Sequence, residues 1–219
     1  MAESIAETYE ILLQPCVENI QVIAPGLVYI KGGIGPELST WLANFATEVG
    51  KDPQTGFWKI GDDGEKIDRG AAQRGRVYQR LDLYREHEKL RALCGNIVDC
   101  ARKASEVLPP MLPTHMLLLQ YRTPDGMCWH RDSDPNDGLN DHPIVSISLG
   151  NTCTFGYKRL LRPDESVELE SGDVLVWGGP QRMLEHCVRE VKMETAPPTY
   201  QKKRRTAAIT SHSEMRRTY

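Results

Sequence analysis

Ser171-Gly172-Asp173-Val174-Leu175-Val176-Trp177-Gly178-Gly179 is a short apolar run closed at both ends by turn residues. The segments around it in the C-terminal half have the same form: His115 to Tyr121, Pro143 to Leu149, Thr152 to Tyr157, Val167 to Glu170, His186 to Val191 and Arg204 to Thr210. Turns containing Gly, Asp or Pro separate them, among them Pro124-Asp125-Gly126. Short strands at this spacing predict a sandwich or barrel of the jelly-roll type.

Upstream of His115 the pattern changes. Gln21 to Ile34 alternates loosely around a turn at Pro25-Gly26 and reads as a short strand entering the fold. Gly35-Pro36 opens a helix, with Leu38, Trp41, Leu42 and Phe45 on one apolar stripe. A second helix is expected from Glu86 to Val107, with Leu90, Leu93, Ile97 and Ala101 turned inward and Pro109-Pro110 ending it. The expected class is α+β: a double-stranded β-helix, or jelly roll, with N-terminal helices packed on one sheet. Residues 115–219 are expected to form the jelly-roll core and to carry any catalytic site. Residues 1–114 supply helices, strands and a lid at about 50–85, all within one structural domain.

Two features suggest chemistry. His130-Arg131-Asp132 places a histidine and a carboxylate on one side of an extended segment, because strand side chains alternate with period two. His186, from a later strand, is the candidate third ligand. Two histidines and a carboxylate on one face of a metal leave positions open, as in non-haem Fe(II) oxygenases that activate O2. H-x-D alone recurs by chance, so the case rests on joint placement with an all-β half. His87, His115, His142 and His212 are left without a role.

The second feature is charge distribution. The net charge of -3 says little about partners. Locally, Lys202, Lys203, Arg204, Arg205, Arg216 and Arg217 crowd the end of the chain. The 51–85 excursion mixes basic residues with Phe57, Trp58, Tyr78 and Tyr84. Such a mixture can hold a phosphate backbone and stack on bases, or can be a solvated loop with a few core aromatics. No long apolar run predicts a membrane span, and no secretion signal is read at the N-terminus. Six scattered cysteines without a C-x-x-C pair read as reduced thiols of an intracellular protein in the cytoplasm or nucleus.

Pro143-Ile144-Val145-Ser146-Ile147-Ser148-Leu149-Gly150, followed by the Gly172–Gly179 run, closely resembles the AlkB family of Fe(II)/2-oxoglutarate dioxygenases. The likeness is good over about 115–210 and holds only in outline before that. It implies a jelly roll, with Fe(II) at His130, Asp132 and His186, and 2-oxoglutarate and O2 as co-substrates. Tyr121 matches the tyrosine that hydrogen-bonds the co-substrate, while Leu119 stands where an asparagine is usual. Asp134 and Arg182 match substrate-side residues, and Tyr78 and Trp58 are candidate substrate contacts from the lid. The final strand matches with Arg204, or one position later Arg205, as the first co-substrate arginine. Thr210 or Ser211 replaces the second.

The implied activity is oxidative demethylation of alkylated bases in DNA or RNA, with release of formaldehyde and succinate, by a monomer. The alternatives are oxidation of 5-methylcytosine, of a protein side chain or of a metabolite by the same iron site, and a non-catalytic nucleic-acid-binding module.

Overall fold

Strand alternation in this chain serves two cores, one on each face of a single sheet. In β6 (His115–Tyr121), Met116 and Leu118 pack with the helices, while Leu117, Leu119 and Tyr121 face the opposite way into a second cluster. A strand buried on both faces reads as a continuous apolar run, which is why β2 (Leu27–Ile30) and β11 (Val174–Trp177) contain no surface-type residue.

The computed structural model describes residues 19–52, 55–60, 66–68, 74–132, 142–159, 161–198 and 206–212. Its strands are β1 (Ile20–Ala24), β2, β3 (Trp58–Ile60), β4 (Lys66–Asp68), β5 (Arg74–Arg80), β6, β7 (Asp125–His130), β8 (Ile144–Leu149), β9 (Cys153–Lys158), β10 (Glu165–Leu169), β11, β12 (Glu185–Val191) and β13 (Thr206–His212). A seven-stranded sheet runs β1-β2-β11-β8-β13-β6-β5, and a four-stranded sheet runs β10-β9-β12-β7. Strands β3 and β4 pair only with each other, and every described pairing is antiparallel.

The two helices, α1 (Pro36–Gly50) and α2 (His87–Ala104), cover the outer face of the seven-stranded sheet. Leu38, Leu42 and Phe45 of α1, with Leu90, Leu93, Ile97 and Ala101 of α2, form that layer with Val145, Ile147 and Leu149 of β8. The expected stripes are therefore the buried stripes, although α2 is shorter than the expected Glu86–Val107. Between the sheets, Tyr29, Leu175 and Trp177 meet Phe155, Tyr157 and Leu169. The jelly roll with helices on one sheet is thus the architecture found.

Three local readings differ from the sequence expectation. Gln21–Ile34 is a hairpin rather than one strand. Its turn needs Gly26, whose φ is +87° and whose missing Cβ would lie 2.4 Å from the Gly178 carbonyl oxygen. The 50–85 excursion contains β5, an edge strand of the main sheet, besides the β3–β4 hairpin. Pro124-Asp125-Gly126, expected as a turn, runs into β7, because a Cβ on Gly126 would sit 1.7 Å from the Val188 carbonyl oxygen and only glycine lets β7 approach β12.

One buried carboxylate locks the entry to β11. Asp173, 2% exposed, accepts from the Tyr29 hydroxyl at 2.7 Å and from the Gly32 and Glu170 amides, each at 2.8 Å. Burial, with the Asp173 carboxylate accepting its proton, pushes the Tyr29 hydroxyl well above the ordinary tyrosine range.

Candidate metal centre

His130 ends β7 and pairs directly with His186 on β12. Partners in an antiparallel ladder project to the same face, so register alone brings the two imidazoles together, with ring centroids 4.2 Å apart. Asp132 follows just past the end of β7. Its carboxylate oxygens lie 3.6 Å from His130 Nε2 and 3.7 Å from His186 Nε2. One ligand atom from each of the three residues falls within 4.8 Å of the others.

The donor chemistry fits a metal ion. His130 Nδ1 is 2.9 Å from the Cys128 carbonyl oxygen, and His186 Nδ1 is 3.0 Å from that of Leu184. A carbonyl can only accept, so each Nδ1 carries a proton, and both Nε2 atoms face the carboxylate. Burial lowers the His186 pKa, with the Asp132 charge acting the other way, and so favours the neutral imidazole that a metal requires. Phe155 stacks on His186 at 5.3 Å and Trp177 lies 5.2 Å away, so the inner side of the cluster is walled by aromatic rings.

The cluster opens on a cavity between the two sheets. Tyr121, 4% exposed, lines it, as does Leu119 at the position where the resemblance leads one to expect asparagine. Ser146, Ser148, Asn151 and Cys153 supply further polar atoms, and none of them is singled out by the sequence reading. A signal for two of them is present in Ile144-Val145-Ser146-Ile147-Ser148-Leu149. Hydroxyls at alternate positions of a fully buried strand mark the face that meets something polar. Burial pushes the Cys153 thiol up to about 12.

The other expected residues fall as follows. Thr210 stands in β13 opposite Ser146 and Leu117, both of which line the cavity. Arg182, 5% exposed, donates from Nη1 to the main-chain carbonyl of Asp132. Tyr78 of β5 pairs with Leu117, which puts it on the cavity face of the sheet at the outer edge. It is 44% exposed, stacks on His115 at 5.3 Å and carries Arg76 at 5.8 Å. Trp58 lies on β3 opposite Asp68. Asp134, Arg204 and Arg205 lie outside the described residues.

Comparison with known proteins adds to this geometry. The family model described as the 2OG-Fe(II) oxygenase superfamily matches residues 62–216. The DNA N(6)-methyladenine demethylase ALKBH1D of Arabidopsis thaliana is 29% identical over 206 residues, which is 81% of this chain and 46% of that protein. The alpha-ketoglutarate-dependent dioxygenase AlkB of Escherichia coli K12 is 35% identical over 103 residues, 46% of this chain and 47% of its own. The chain thus spans about half the length of these curated relatives. Among solved structures, that of OsALKBH1 superposes with a TM-score of 0.74 at 22% identity, covering 90% of this chain and 100% of the other. A prolyl-4-hydroxylase of Pseudomonas putida reaches a TM-score of 0.56 at 12% identity, covering 88% of this chain and 94% of the other.

Proposed function

Because the chain belongs to the 2OG-Fe(II) oxygenase superfamily, we propose that it is an AlkB-like oxidoreductase that removes methyl groups from alkylated nucleic-acid bases. The observation that carries this reading is the cluster of His130, Asp132 and His186, with both Nδ1 atoms committed to carbonyls and both Nε2 atoms turned toward one carboxylate. In this reading the three side chains hold Fe(II). Bound there with 2-oxoglutarate, the metal would supply O2-dependent oxidation of a methyl C–H bond, one oxygen atom going to succinate with loss of carbon dioxide and the other leaving in formaldehyde.

The chain's own residues then have defined tasks. Tyr121 holds the co-substrate through its hydroxyl inside the cavity, supported by the polar atoms of Ser146, Ser148 and Asn151. Arg204 or Arg205 pairs with its distal carboxylate, where a guanidinium fork gives bidentate recognition. In the Arg204 register Thr210, and in the Arg205 register Ser211, stands where a second arginine is usual, which would leave that end of the co-substrate less tightly held. Phe155 and Trp177 keep water from the inner side of His186. Tyr78 and Arg76, at the exposed edge of the cavity face, stack on and neutralise the strand that presents the base, with Trp58 as a further stacking surface, while Asp134 accepts from the exocyclic amine of the base.

ALKBH1D bears the name of a DNA N(6)-methyladenine demethylase, and that supports nucleic acid as the substrate class. No helix among the described residues is long and apolar enough to cross a membrane. The described cysteines are free, which supports an intracellular site of action, in the cytoplasm or nucleus. We take the protein to work as a monomer, and as one structural domain because β1, β2 and β5 complete the sheet begun by the C-terminal strands.

The test is succinate formation from 2-oxoglutarate with Fe(II), ascorbate and O2, using N-methylated DNA and RNA oligonucleotides beside unmethylated ones. Turnover stimulated only by a methylated strand is expected, with binding that weakens steeply as salt rises. Equal turnover without methylation would move the substrate to another class. Iron-loaded protein that makes no succinate under any condition would end the demethylase reading.

A further inference from the structure

Backbone pairing between β7 and β12 ends at His130 and His186. Asp132 lies two residues further on, where no described strand pairing reaches it, yet its carboxylate must meet both imidazoles. What holds its main chain is Arg182, fifty residues away, whose Nη1 donates to the Asp132 carbonyl oxygen. Arg182 is 5% exposed, and a guanidinium is rarely taken out of water unless it is bound to acceptors.

The segment that carries Arg182 is itself anchored. The Gly178 amide donates to the Gly26 carbonyl at 2.9 Å, and the Gly26 amide donates to Ser105 Oγ at 3.0 Å, tying the segment to the β1–β2 turn and the end of α2. The Arg182 amide closes a turn onto the Gly179 carbonyl at 3.0 Å, and the Leu184 amide closes the next onto Gln181 at 2.9 Å. The Leu184 carbonyl then accepts from His186 Nδ1. Residues 178–186 therefore set His186 directly and reach Asp132 through Arg182.

We propose that Arg182 is a positioning residue for Asp132, rather than a contact on the substrate. The proposal rests on the reading that His130, Asp132 and His186 hold the metal. With its carbonyl pinned, the Asp132 peptide plane is fixed, and its Cβ bond aims the carboxylate at the two Nε2 atoms. A contact one residue earlier provides a contrast. Arg131 Nη2 meets Glu185 Oε2 at 3.1 Å on the outer face of the sheet, with the arginine side chain 56% exposed. An ion pair so open to solvent contributes little.

The experiment is a Co(II) titration of the full chain, followed by ligand-field absorption, with thermal melting of the metal-free protein alongside. Asp132→Ala, Arg182→Met and Glu185→Gln are compared with the unaltered protein. Arg182→Met is expected to weaken Co(II) binding about 10- to 100-fold and to move the absorption bands toward those of Asp132→Ala. Glu185→Gln is expected to stay within about fivefold. Unaltered affinity and bands in Arg182→Met would overturn the proposal. If Asp132→Ala itself binds Co(II) normally, the metal triad is wrong and the proposal goes with it. Should Arg182→Met fail to fold, Arg182→Lys keeps the charge and the buried stem but not the planar fork. About tenfold weaker binding with displaced bands is then expected, and normal binding would overturn the proposal.

Discussion

The two strands that bring histidines to the centre are held in opposite ways. Strand β12 lies inside the four-stranded sheet, paired with β9 on one side and β7 on the other, and its His186 is 4% exposed between aromatic rings. Strand β7 is an edge. Cys128 and Trp129 bulge opposite the single residue Cys187, and the His130 side chain is 28% exposed. One half of the centre is therefore set by the core, and the other by a few specific contacts at a sheet edge. Such an edge can face a substrate, but its register needs help. Gly126 lets β7 close onto β12, Lys158 lies 4.3 Å above the Trp129 ring, and Arg182 fixes Asp132.

If this contrast is right, damage to the core side should appear as lost fold stability, and damage to the edge side as lost metal affinity. The largest effect expected is on the ligands themselves. His130→Ala and His186→Ala should each lower Co(II) or Fe(II) affinity by more than about a hundredfold, beyond what a supporting residue contributes. Only His186→Ala should also lower the melting temperature of the metal-free protein, because it alone leaves a void between Phe155 and Trp177. Equal melting shifts for the two would break the comparison.

Next comes Asp173→Ala, which leaves the Tyr29 hydroxyl and the Gly32 and Glu170 amides without an acceptor at the entry to β11. A loss of about 3 kcal/mol is expected in urea unfolding. Metal affinity measured below the unfolding transition should be unchanged.

Gly126→Ala should do the reverse. A Cβ cannot sit 1.7 Å from the Val188 carbonyl, so β7 must draw away from β12. Because β7 is an edge, we expect about 1–2 kcal/mol in stability but about tenfold or more in metal affinity. A purely stability-directed effect would place β7 with the core side. The smallest change is Lys158→Met, which removes the cation from Trp129 and the ion pair to Glu185. Its expected effect on metal affinity is below about fivefold, and a larger one would mean that the outer face of the sheet does more to hold β7 than solvent-exposed pairs usually do.

Much of this molecule is legible in its amino-acid order. The apolar runs bounded by turns mark β6, β8, β11 and β12, and the stripe Leu38, Trp41, Leu42 and Phe45 lies on α1 as expected. Each is a short-range periodic pattern that a strand or helix must carry to bury one face. Alternation, being local, pairs His130 with Asp132; His186 is named by its place after a later strand and by the family resemblance. Local pattern reaches β5 and β7 less well. Arg74–Arg80 has a modest apolar pattern because an edge strand is covered on one side only. Asp125-Gly126 looks like a turn until β12 is brought against it.

Sequence thus determines the jelly roll with its helical cover and the His130-Asp132 pair, since periodicity and residue chemistry are properties of neighbours along the chain, while His186 joins them as a candidate through its placement and the family resemblance. How those ligands are aimed is set by tertiary contacts: His130 in register with His186, each Nδ1 on its own carbonyl, Ser146 and Ser148 on the cavity face, and Arg182 on the carbonyl of Asp132. These contacts join strands that are distant in sequence. They depend on register and on the close approach allowed by Gly26 and Gly126, which no local pattern encodes.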